Sequence, residues 1–186
     1  WMSTDTSIRD YVRKAVFRGI MFEEENITNM ASKALCILAM IERNDFFQVL
    51  QQIMSLIVDE GTNEFDQEQS ERFALSSLYV INEIIAPPYY SDHINDIPDL
   101  KDVINRINEQ MIDLFQNRAP MKPDKYKEMV ISVLNSIILC FPPLYQDDAT
   151  IQKILPTIIS CFESGPNDEI YDLLCKFLYN LVNINY

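Results

Sequence analysis

The sequence predicts an all-α solenoid of stacked antiparallel helix pairs, and three observations carry that prediction. Only three glycines (Gly19, Gly61 and Gly165) occur in 186 residues, too few for a β protein rich in hairpin turns. The stretch 45–85 reads as helix, turn and helix, with apolar residues at the helical i, i+3, i+4, i+7 spacing. A block also recurs: Ser77, Pro87, Pro88, Tyr90 and Asp92 return as Ser132, Pro142, Pro143, Tyr145 and Asp147, each 55 positions further on.

The elements follow in order. Residues 6–21 form a first helix, with Thr6 or Ser7 as cap, Ile8, Tyr11, Val12, Ala15, Val16 and Phe17 inward, and Arg9, Arg13, Lys14 and Arg18 outward. Thr28 or Asn29 caps the next, 31–43, which is apolar almost all round. The helix over 45–60 keeps one wet face, with Phe46, Val49, Leu50, Ile53 and Ile57 opposite Gln48, Gln51, Gln52 and Ser55. Its partner over 70–85 has Phe73, Ala74, Leu75, Leu78, Val80, Ile81, Ile84 and Ile85. A helix so apolar must be covered on several sides, so further layers must stack against it.

After a Pro-Pro stop, the helix over 101–118 turns Val103, Ile104, Ile107, Met111, Leu114 and Phe115 inward. Pro123 suits the first turn of the next helix, 124–140. A second Pro-Pro stop precedes 150–164, where Pro156 removes a backbone donor and predicts a kink. Gly165 and Pro166 then punctuate the turn into 167–185. Second helices beginning near 29, 68, 122 and 167 give a period of about 40–55 residues, in the range of two-helix solenoid repeats. The repeats fall at about 6–42, 45–86, 97–141 and 149–185, in a single solenoid domain.

Composition narrows the function. A formal net charge of -13, from 28 acidic and 15 basic residues, argues against a nucleic-acid backbone as ligand and fits attraction of basic partners. No apolar run is long enough to span a membrane, no secretory signal opens the chain, and Trp1, not an initiator residue, suggests a processed or partial chain. Cys36, Cys140, Cys161 and Cys175 lie on apolar helical stretches without ligand spacing, and the single His93 is far from them. They read as buried reduced thiols with no metal and no cofactor. One histidine, no nucleophile elbow and no glycine cradle leave little with which to build catalysis.

The ILPTIISCFES-GPNDEIYDLLCKFL stretch, with its internal proline, resembles a HEAT repeat. The succession IRDYVRKAV, ASKALCILAMIE, VLQQIMSLI, ALSSLYVINEII, NEQMIDLFQNR and VLNSIILCF resembles the N-terminal half of the karyopherin-β nuclear transport receptors, importin-β in particular. The resemblance covers essentially the whole chain as about four consecutive HEAT repeats. Two features depart from it. Asp168-Glu169-Ile170 lacks the arginine common at the start of the family's second helices, and the acidic loop of a later repeat is absent.

The resemblance implies a non-enzymatic protein of cytoplasm and nucleus that binds the Ran GTPase, nucleoporin Phe-Gly repeats or a basic cargo segment, but neither nucleic acid nor membrane. Two sets of residues are candidates. A concave partner-binding stripe comprises Arg72, Ser76, Tyr79 and Glu83; Lys125, Glu128, Ser132 and Asn135; and Glu169, Asp172, Lys176 and Asn180. Phe-Gly contacts, by segment alignment, are Met111, Ile112, Phe115, Gln152, Leu155 and Pro156, with Ile112 expected beside the inward stripe and accessible. Another HEAT or armadillo scaffold or adaptor, or the non-catalytic helical part of an enzyme, remain the alternative readings.

Overall fold

The computed structural model describes residues 3–20, 24–41, 53, 67–85 and 100–185. Among these residues the fold is all-α: α1 (Thr6–Ile20), α2 (Glu25–Ile41), α3 (Gln67–Ile85), α4 (Leu100–Asp113), α5 (Asp124–Cys140), α6 (Asp148–Glu163) and α7 (Asp168–Asn185), with no strand. The predicted helix over 45–60 lies outside the described residues except Ile53, which is helical and buried. Pro87, Pro88, Tyr90, Asp92 and His93 also lie outside them. The chain divides into two compact units, Trp1–Ile84 and Ile85–Tyr186.

In the first unit α1 and α2 form a hairpin whose close approach depends on Gly19. A Cβ there would sit 2.8 Å from the Ala31 Cβ, so no other residue fits without moving a helix. Asp5, rather than Thr6 or Ser7, caps α1: its carboxylate accepts from the Ser7 N–H at 2.8 Å. Likewise α2 begins at Glu25, ahead of the predicted caps Thr28 and Asn29, because the Glu24 carbonyl already accepts from the Ile27 and Thr28 N–H groups. The predicted inward face of α1 is too wide. Ile8, Tyr11 and Ala15 are exposed, while Gly19 and Ile20 are buried against α2. Among the described residues, α2 covers one narrow stripe of α1 and not the whole apolar arc. Among the described residues of this unit, Leu35 and Leu38 of α2, Ile53, and Phe73, Ala74, Leu78, Val80 and Ile81 of α3 are also buried.

The second unit consists of two hairpins, α4–α5 and α6–α7. Its most extensive helix contact is α5 on α7, so the second helix of one pair lies beside the second helix of the next. α4 does not run straight to Arg118. Pro120 lacks the N–H that would continue the helix. The chain widens into a π turn over Leu114–Arg118, closed by the Ala119 N–H on the Leu114 carbonyl, then tightens into a 3-10 turn over Ala119–Met121. That π turn packs against α6. α6 itself is one continuous helix through Pro156. Gly165 takes the left-handed conformation (φ 68°) that ends it, as the usual C-terminal glycine does.

Between the hairpins, Pro142–Tyr145 forms a 3-10 turn that drives Tyr145 into the core. Its hydroxyl donates to the Asn108 side-chain carbonyl of α4. Its ring meets Phe177 of α7 edge-on at 5.5 Å, and its backbone carbonyl accepts from the Asn185 amide at 3.1 Å. One residue thus ties its turn to both α4 and α7.

Candidate protein-interaction face

The predicted concave stripe of the second unit runs along α5 and α7, which are adjacent. At the α7 start, Asn167 accepts from the Ile170 N–H at 2.8 Å, capping the helix. Its amide donates to Asp124 at 3.3 Å and Glu128 at 3.4 Å, so the same residue fastens α7 to α5. Lys125 pairs with Glu128 at 3.2 Å on the exposed rim. Midway along, the Asn135 amide donates to the Leu173 carbonyl at 3.0 Å and to the Ile131 carbonyl at 3.2 Å. Its side-chain carbonyl accepts from Asn180 at 3.4 Å.

These bonds sort the stripe. Asn135 is buried, Ser132, Glu128 and Asn180 are half-buried, and Lys125, Glu169, Asp172 and Lys176 stand in solvent. Asp172 and Lys176 pair at 2.6 Å across one helical turn. Exposed pairs of this kind contribute little stability, so they are free to exchange partners. The surface is therefore a polar ledge built on a fixed asparagine contact, with carboxylates of α7 facing outward. Neither the asparagine pair nor the role of Asn167 was read from the sequence. The signal for Asn167 was its place just ahead of Asp168 and Glu169, the position of an N-cap.

The corresponding residues on α3 belong to the first unit. Arg72, Ser76, Tyr79 and Glu83 are all half-buried there, and the Ser76 hydroxyl donates back to the Arg72 carbonyl at 3.0 Å. Burial, and then the Glu83 carboxylate, push the Tyr79 hydroxyl up and the Cys36 thiol up to about 12. Cys36 lies over the Val80 carbonyl at 3.9 Å.

The Phe-Gly candidates divide differently from expectation. Met111, Ile112 and Phe115 are buried, Leu155 is half-buried, and Gln152 and Pro156 are exposed. Ile112 is only 5% exposed, so it is part of the packing and not an accessible wall beside the stripe. The π turn that follows α4 packs on α6, where the Gln116 amide donates to the Lys153 carbonyl. The accessible apolar surface is on α6 itself.

The four cysteines are free thiols. Burial pushes Cys140 up to about 11 and raises Cys161 as well. Cys175, expected to be buried, is exposed on α7, because α5 and the core take the other sides of that helix. Among the described residues no group of three His, Cys, Asp or Glu is placed to hold a metal ion. No described helix is long and apolar enough to cross a membrane. Neither any protein-family model nor any curated protein matches the sequence.

Proposed function

We propose that the chain is a HEAT-type solenoid segment of a karyopherin-β-like nuclear transport receptor, acting by protein–protein interaction in cytoplasm and nucleus and not by catalysis. The observation that supports this most is the seating of α5 beside α7, with their polar stripes joined through Asn135, Leu173 and Asn180. Stacked pairs of this kind present extended surfaces that single hairpins lack. The acidic balance of the chain and the outward Glu169 and Asp172 favour a basic cargo segment. Phe-Gly side chains would use Leu155, Pro156 and Gln152 on α6, with Met111, Ile112 and Phe115 supporting them from beneath. Burying one phenylalanine contributes at most about 1.5–3 kcal/mol before association costs, so such binding becomes useful only through many repeats.

The test is capture of Ran-GTP, Ran-GDP, multivalent Phe-Gly peptides and a basic peptide on immobilised chain. The expected result is preference for Ran-GTP or retention of Phe-Gly peptides, with Glu169→Lys/Asp172→Lys weakening the basic ligands alone. Retention of the basic peptide without Ran or Phe-Gly binding would instead identify a scaffold or adaptor of another kind. Retention of none of the four overturns the proposal.

A further inference from the structure

We draw no further inference here: the strongest candidate, the apolar surface patch that Tyr11 of α1 and Met30 and Ile37 of α2 leave exposed, carries none, because its neighbouring cations Lys14 and Arg18 share α1 with the exposed Asp10 in a chain of net charge -13, and nothing in the structure shows what covers it.

Discussion

Ile112 shows how far one side chain departs from its sequence pattern. Next to a coherent stripe of Met111, Leu114 and Phe115, it reads as the accessible edge of a groove. Ile112 is buried just ahead of the π turn over Leu114–Arg118, which packs on α6. Ile112→Asp, expected from the stripe alone to leave the fold intact, should instead destabilise the chain by more than about 3 kcal/mol, from the lost packing and a desolvated carboxylate. Urea unfolding followed by circular dichroism measures this, and an unchanged midpoint would return Ile112 to the surface. Pro156→Ala is the better probe of ligand binding, since Pro156 is exposed and its removal restores a helical N–H. Tyr145 was legible only as a repeated position. Its bond to Asn108 was not, because nothing in spacing tells which polar group two helices away will meet a buried hydroxyl.

At the scale of elements the helices themselves were readable, since a 3.6-residue apolar period survives in every segment the structure describes. Their ends were less so. Asp5 and Glu24 start helices through local bonds that compete with the nearby threonines and asparagines, and the π turn depends on how Pro120 is accommodated. The α1–α2 hairpin offers a sharp test of element packing. Gly19→Ala improves helix propensity by about 0.8–1 kcal/mol, but its new Cβ meets Ala31 at 2.8 Å. Overpacking typically costs about 1–3 kcal/mol, so the crossing should win and the variant should melt lower. Adding Ala31→Gly vacates the contested space and should recover part of the loss. A Gly19→Ala chain as stable as wild type would show that the helices separate freely.

For the whole molecule, neighbour relations were the least legible level. Periodicity marks an apolar face without saying what covers it, which is why Ile8, Tyr11 and Cys175 were expected inside and stand outside. The half-buried thiols give a readout that spans both units. Burial raises Cys36 from its ordinary 9.0 to about 12 and Cys140 to about 11. Well below pH 9 both thiols are protonated whether folded or not, and their contribution is constant. Above it the unfolded chain releases protons that the folded chain retains, so the unfolded state gains and stability falls as pH rises toward 11–12. Urea midpoints at about pH 8 and about pH 10.5 should therefore differ more in the wild type than in Cys36→Ala/Cys140→Ala. Equal differences would mean that neither thiol is protected by the fold.

Tyr145 also sets an order of events in time. Its bonds to Asn108 and Asn185 close loops of 37 and 40 residues, whereas the α1–α2 hairpin closes across a few. Long loops lose more entropy before any contact rewards them, so local hairpins form early and the Tyr145 junction late. An interaction made after the rate-limiting step holds the finished structure shut without hastening its assembly. Tyr145→Phe should accordingly leave the refolding arm of a chevron almost unmoved and lift the unfolding arm. The junction between the two hairpins is thus a latch, and what it governs is how long the second unit stays closed.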